Sequence, residues 1–123
     1  MKILYGTTNN GKLQAMKTAV KPLDIQLISL KDVEGELPSI NESGITPLDN
    51  AEIKARAYYD AFHMPVFSCD SGLYFDELKK EEQPGIHVRR VNGKELSDDE
   101  MIGYYASLAE KYGGKITGRY RNA

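Results

Sequence analysis

The chain has 123 residues, enough for one hydrophobic core, and its 41% apolar content is typical of a globular protein. A formal net charge of -2 gives no reason to expect binding to nucleic acid or to an anionic membrane surface. No apolar run is long enough to cross a bilayer, and a single cysteine excludes an intrachain disulfide, so we expect a cytoplasmic protein.

The chain begins with the pattern of a buried strand, a polar loop and a helix. The apolar residues 3–5 lead into the loop 6–12 (Gly-Thr-Thr-Asn-Asn-Gly-Lys), and apolar residues spaced three and four apart predict a helix over 10–21. Loop amides and the N-terminus of the following helix converge on one point, where the helix dipole favours an anion such as phosphate. Lys12 adds a full positive charge there.

The residues of this loop leave two interpretations open. Gly6, Gly11 and Lys12 match the spacing of the phosphate-loop motif, but Leu13 stands where that motif has the Ser or Thr that holds Mg²⁺. The alternative is an ordinary strand-to-helix turn, with an Asn as the helix cap and glycine to relieve strain. If phosphate binds here, we expect either a different kind of phosphate loop or a metal held by other residues.

The middle of the chain predicts a second strand, a long loop and a long helix. Residues 25–30 alternate between apolar and polar, so the two strands and the helix between them predict a parallel pair with a right-handed crossover. The acidic loop 32–44 has a length that is usually kept for function. Thr46 is a favoured N-cap, and we interpret Tyr58 and Tyr59 in the apolar stripe that follows as core residues.

The second half of the chain predicts shorter elements. Residues 65–68 form a short strand, and residues 84–93 form an extended segment that closes on Asn-Gly. Ser97 and Glu100 have the spacing of a capping box and start a helix. Residues 115–123 alternate like the start of a strand, and because the chain stops inside this pattern we expect it to be truncated.

Two acidic residues are candidates to serve the phosphate site. Glu42 lies in the acidic loop, and Asp70 follows a predicted strand, at the edge where ligands of open α/β sheets bind. Mg²⁺ that is bound to phosphates takes one or two protein carboxylates, which these residues would supply. The alternatives are a solvated loop carboxylate at Glu42 and a turn residue at Asp70. Asp49-Asn50 with Lys54 is a third polar feature, on the first turns of the long helix.

Four motifs, taken in order, resemble the inosine triphosphate pyrophosphatase family. They are 7–12 (Thr-Thr-Asn-Asn-Gly-Lys), 42–55 (Glu-Ser-Gly-Ile-Thr, then Asp-Asn-Ala and Lys-Ala), 70–73 (Asp-Ser-Gly-Leu) and 84–90 (Pro-Gly-Ile, then Arg). This family hydrolyses non-canonical purine nucleoside triphosphates between the α- and β-phosphates. The resemblance implies Mg²⁺-dependent hydrolysis of ITP, dITP or XTP to a monophosphate and pyrophosphate.

The resemblance also implies a fold and a set of residue roles. The fold would be α/β, with a mixed, mainly parallel central sheet flanked by helices, in a single domain over 1–123 that lacks the usual C-terminal part. Glu42 and Asp70 would hold Mg²⁺, with Asp70 as the base for the attacking water. The substrate would be bound by Thr7, Thr8, Asn9, Asn10, Gly11, Lys12, Lys54, Ser71 and Arg90.

Two alternatives stay open beside this interpretation. A truncated, inactive relative would bind nucleotide or phosphate and mainly dimerise, because an unpaired strand edge invites a partner. A true phosphate-loop NTPase would use residues 66–70 as its metal-binding strand, although Leu13 argues against it. For the family interpretation we expect a homodimer with a nucleoside triphosphate substrate, and neither nucleic acid nor a membrane as partner.

Overall fold

The computed structural model describes residues 1–123, with three α-helices and seven β-strands. The helices are α1 (Asn10–Val20), α2 (Pro47–Phe62) and α3 (Asp98–Lys111). The strands are β1 (Lys2–Tyr5), β2 (Gln26–Ile28), β3 (Val66–Phe67), β4 (Ser71–Phe75), β5 (Arg90–Val91), β6 (Lys94–Glu95) and β7 (Gly118–Asn122). None of the helices combines the length and the apolar character that crossing a membrane requires.

The chain divides into two compact units, Met1–Asp70 with Ala123, and Ser71–Asn122. The first unit holds the predicted phosphate loop and both candidate metal ligands. The second unit holds two further predicted substrate residues, Ser71 and Arg90. A single domain over 1–123 stays a prediction.

The first unit is built on a three-stranded parallel sheet in the order β2-β1-β3. β1 lies in the centre, where Leu4 pairs with Ile28 on one side and with Val66 on the other. Leu4 and Tyr5 are buried, as the apolar run predicts. The predicted parallel pair with α1 as its crossover is confirmed, and the polar loop after β1 lies at the C-terminal edge of this sheet.

The core of the first unit packs α2 against this sheet. Leu4, Leu30 and Tyr58 are buried together, and they are surrounded by partly buried apolar side chains: Ile28, Val33, Ile40, Phe62, Met64 and Val66. The ring of Tyr58 lies so close to Gly6 that a Cβ at position 6 would overlap it. Gly6 is therefore required for the close approach of the loop to α2, a role that its phosphate-loop spacing did not predict.

Helices α2 and α3 both begin at capping boxes. In α2, Thr46 Oγ1 accepts from the Asp49 amide at 3.2 Å, and Asp49 Oδ2 accepts from the Thr46 amide at 3.1 Å. In α3, Ser97 and Glu100 make the same reciprocal pair, with both distances at 3.2 Å. The predicted starts of α2 and α3 are thus confirmed.

The strands of the second unit are antiparallel. β4 pairs with β7, with Leu73 opposite Tyr120, and β5 pairs with β6 as a hairpin. Asn92 and Gly93 form the turn of this hairpin with positive φ angles of 50° and 78°, as expected of an Asn-Gly pair. The predicted α/β class is confirmed, with the parallel strand pairs in the first unit.

Candidate active site

The loop between β1 and α1 is held by its own polar side chains. Thr7 Oγ1 accepts from the Asn9 amide at 3.1 Å, and Asn9 Oδ1 accepts from the Lys12 amide at 3.0 Å. Asn9 is therefore the cap that the alternative interpretation proposed. The amides of Asn10 and Gly11, which lie between Asn9 and Lys12, have no partner in the chain. They remain free for an anion at the positive end of the helix dipole.

A cleft of about 370 Å³ opens beside this loop. It brings together seven of the predicted site residues, which are Thr7, Thr8, Asn9, Lys12, Glu42, Lys54 and Asp70. Asn10 instead lines a neighbouring cavity of about 240 Å³, and Gly11 lies exposed in the first turn of α1. The first unit thus gathers residues from the loop after β1, the acidic loop, α2 and the segment after β3 around one space.

Lys54 lies between the two candidate metal ligands. Its Nζ is 3.4 Å from Glu42 Oε1 and 3.9 Å from Asp70 Oδ1. These two carboxylate oxygens therefore cannot lie farther apart than the sum of the two distances. The same Nζ donates a hydrogen bond of 2.7 Å to the backbone carbonyl of Cys69. The side chains of Lys54 and Asp70 are 14% and 17% exposed, whereas Glu42 is 47% exposed. Glu42 is therefore half solvated, yet it is paired rather than free.

The donor set fits Mg²⁺ bound together with phosphate. The chain has no group of three or more His, Cys, Asp or Glu side chains that could hold a metal ion by themselves. Mg²⁺ does not need such a group, because it is commonly held by one or two carboxylates, water and the phosphate oxygens of a substrate. Glu42 and Asp70 on either side of one ammonium provide this smaller set.

The loop that carries Glu42 is fastened to the start of α2. The Gly44 amide donates to Asn50 Oδ1 at 2.8 Å, and the amides of Ile45 and Thr46 donate to Asp49 Oδ2 at 3.2 and 3.1 Å. Asn50 is only 2% exposed. The hydrogen bonds with Thr46 first, and then with Ile45, hold the pKa of the Asp49 carboxyl below its usual value. Asp49 and Asn50, which the sequence suggested as polar residues of the site, therefore brace the loop that carries Glu42.

Three residues of the cleft wall were missed as site residues by the sequence analysis. Pro38 and Ile40 come from the acidic loop, whose length was the only signal of a function. Tyr58 was assigned to the core, and it is buried, but it also lines the cleft. Its position four residues after Lys54, on the same face of α2, was the available signal.

The predicted site residues of the second unit have contacts of their own. Ser71 begins β4, and its Oγ donates to Asn122 Oδ1 at 2.7 Å. Arg90 lies in β5 and lines a cavity of about 460 Å³ together with His87, Tyr104 and Lys111. Roles of Ser71 and Arg90 in binding substrate stay predictions.

Comparison with known proteins finds relatives with a consistent name. A dITP/XTP pyrophosphatase from Oceanobacillus iheyensis is 36% identical over 101 residues, which cover 82% of this chain and 50% of that protein. A dITP/XTP pyrophosphatase from Aquifex aeolicus is 34% identical over 102 residues, covering 83% of this chain and 48% of that protein. The chain spans about half the length of these curated relatives.

Solved structures and family models agree with these relatives. The structure of a Ham1 protein from Coxiella burnetii matches with a TM-score of 0.76 and 27% identity, covering 99% of this chain and 62% of that chain. A model of the Ham1 family matches residues 3–120. The resemblance to the inosine triphosphate pyrophosphatase family is thereby confirmed, in place of the phosphate-loop NTPase alternative. The chain belongs to the Ham1 family.

Proposed function

We propose that this chain carries the phosphate-binding and metal-binding part of an enzyme that hydrolyses non-canonical purine nucleoside triphosphates, such as ITP, dITP and XTP, with Mg²⁺. The observation that carries this proposal is the cleft where Glu42, Asp70, Lys12 and Lys54 meet. The names of the relatives supply the substrate class. The activity is a proposal for this chain because the match covers about half of those proteins.

Groups from two parts of the cleft would bind the triphosphate. The free amides of Asn10 and Gly11 and the ammonium of Lys12 favour phosphate oxygens at the start of α1. Lys54 adds a second ammonium from α2. Because hydrolysis of a phosphoanhydride depends mainly on positioning and on neutralising charge, two lysines and a helix N-terminus supply much of what it needs. Mg²⁺, when bound, would add a divalent charge beside the phosphates.

Asp70 is the proposed base. Its carboxylate would accept a proton from a water molecule whose oxygen bonds to the α-phosphorus. The bond between that phosphorus and the bridging oxygen would then break, and its electron pair would leave with pyrophosphate. Asp70 suits this role because it lines the cleft and its side chain, at 17% exposed, is largely shielded from bulk water.

The test is pyrophosphate release from ITP, dITP and XTP in the presence of Mg²⁺, with ATP as the competing substrate. We expect Asp70→Asn and Glu42→Gln to abolish release. Matched controls are Asp60→Asn and Glu34→Gln, which change exposed carboxylates without a partner in the chain. Release that survives in Asp70→Asn, or that is absent from every form of the chain, would contradict the proposal.

A second candidate is a relative that binds phosphate without turnover and mainly dimerises. It would use the same cleft for binding. It predicts calorimetric binding of pyrophosphate with Mg²⁺ but no hydrolysis. The predicted homodimer is measured by light scattering. Location in the cytoplasm, and the absence of nucleic acid or membrane partners, also stay predictions.

A further inference from the structure

Tyr58 connects the core of the first unit with the wall of the cleft. Tyr58 is 5% exposed and packs with Leu4 and Leu30, and its ring lies against Gly6. The same residue lines the cleft with Glu42. The aromatic body of Tyr58 is therefore accounted for by packing, while its hydroxyl remains to be explained.

The hydroxyl of Tyr58 has no hydrogen-bond partner in the chain. This is unusual for a mostly buried tyrosine, because such hydroxyls normally find a partner. In the second unit, Tyr105 donates to the Val88 carbonyl at 2.6 Å, and Tyr112 donates to a Glu82 carboxylate oxygen at 2.6 Å. No fully buried side-chain oxygen or nitrogen of the chain lacks a partner, so the Tyr58 hydroxyl keeps some contact with solvent, and Tyr58 is one of the residues that line the cleft.

The surroundings of this hydroxyl favour a donor toward an anion. Burial, and then the negative charge of Glu42, raise the pKa of Tyr58, so the hydroxyl keeps its proton at neutral pH. The cleft also contains the start of α1, and its two lysines, Lys12 and Lys54, offset the charges of its two carboxylates. An uncharged donor in the same cleft would orient an anion without adding further charge.

We propose that the Tyr58 hydroxyl donates a hydrogen bond to a phosphate oxygen of the nucleotide bound in this cleft. The inference rests on the proposed function and adds a substrate contact that the sequence motifs did not include. Phosphate is the expected acceptor because the free amides and the lysine of the first loop belong to the same cleft.

The test compares Tyr58→Phe with the wild-type chain in calorimetric titrations with pyrophosphate at saturating Mg²⁺. Phenylalanine keeps the ring against Gly6 and removes only the hydroxyl, so the thermal midpoint should stay within a few degrees of the wild type. We expect pyrophosphate affinity to fall roughly tenfold, as for loss of one hydrogen bond to a charged group. Tyr59→Phe is the matched control, because Tyr59 is 52% exposed and does not line the cleft.

The outcomes separate this inference from the proposed function. Wild-type chain that does not bind pyrophosphate with Mg²⁺ overturns both. Binding by the wild type with equal binding by Tyr58→Phe overturns the role of Tyr58 alone. A third result also overturns it: weaker Mg²⁺ binding by Tyr58→Phe without pyrophosphate, but unchanged pyrophosphate affinity at saturating Mg²⁺, would show that the hydroxyl orients Glu42 instead.

Discussion

The starts of α2 and α3 carry the same local motif with different consequences. Each begins with a capping box in which a hydroxyl and a carboxylate exchange hydrogen bonds with backbone amides. At α2 the next residue, Asn50, also holds Gly44, so the helix start fixes the loop that carries Glu42. At α3 the carboxylate of Glu100 pairs instead with the exposed Lys94 at 2.7 Å. At α3 the capping box only starts the helix. At α2 the same motif also belongs to the candidate site, because it holds the loop that carries Glu42.

Substitution of Gly44 should have the largest effect, because it separates the acidic loop from the start of α2. A Cβ at position 44 would lie 2.5 Å from both Asn50 Oδ1 and Asp49 Cβ, so the loop would have to move away from α2. For Gly44→Ala we expect the free energy of unfolding to fall by about 1–3 kcal/mol, as at overpacked sites. We also expect loss of pyrophosphate binding. Urea denaturation and calorimetric titration measure the two effects.

Gly103→Ala in α3 is the control for this experiment. Nothing lies within 4 Å of a Cβ at position 103, so alanine there should stabilise the helix by about 0.5–1 kcal/mol. Wild-type binding of pyrophosphate by Gly44→Ala would mean that Glu42 does not depend on this close contact.

Removal of the two cap hydroxyls should have an intermediate effect. Thr46→Ala and Ser97→Ala each delete the acceptor for one amide of the first helical turn, at 3.2 Å in both helices. Each should lower the free energy of unfolding by about 1 kcal/mol. Only Thr46→Ala should also weaken pyrophosphate binding, by up to about fivefold if the cap energy is fully coupled to the loop. Equal binding by the two variants would contradict a special role for the α2 start.

Acid titration of Glu100 should give the smallest effect on stability, and it tests the capping box of α3 alone. Hydrogen bonds from Lys94 first, and then from Ser97, lower the pKa of Glu100 to about 2 from a usual 4.5. Because the folded pKa lies below the unfolded one, Glu100 adds stability above about pH 4.5, and this is lost as the pH falls toward 2. Carboxyl NMR titration measures the pKa, and Glu100→Gln should flatten the dependence of the urea midpoint on pH over this range.

Much of the first unit could be predicted because its signals are local. The apolar run before a polar loop, the helical spacing after it and the cap at Thr46 each specify a few neighbouring residues. The second strand is shorter than predicted for a reason that is also local. Asp32 Oδ2 accepts from the amide of Ser29 at 3.1 Å and from its hydroxyl at 2.8 Å, which turns the chain away from the sheet.

The rest depends on contacts that residue types do not encode. The Cys69 carbonyl that holds Lys54 is a backbone atom and is present whatever residue stands at position 69. An apolar stripe identifies the buried face of α2, but it does not show that Tyr58 reaches a cleft or that Tyr59 is 52% exposed. The pairing of β4 with β7 joins residues far apart in the chain, and alternation alone names no partner for either strand.

The ammonium between Glu42 and Asp70 has a consequence for the order in which ligands enter. A divalent cation that arrives alone has to compete with a tethered positive group that already satisfies both acids and is itself held by a carbonyl. A cation that arrives already carrying phosphates brings a new counter-charge for that lysine. Because Lys54 already offsets part of the charge of Glu42 and Asp70, the cleft should admit the metal and its nucleotide together more readily than the metal alone.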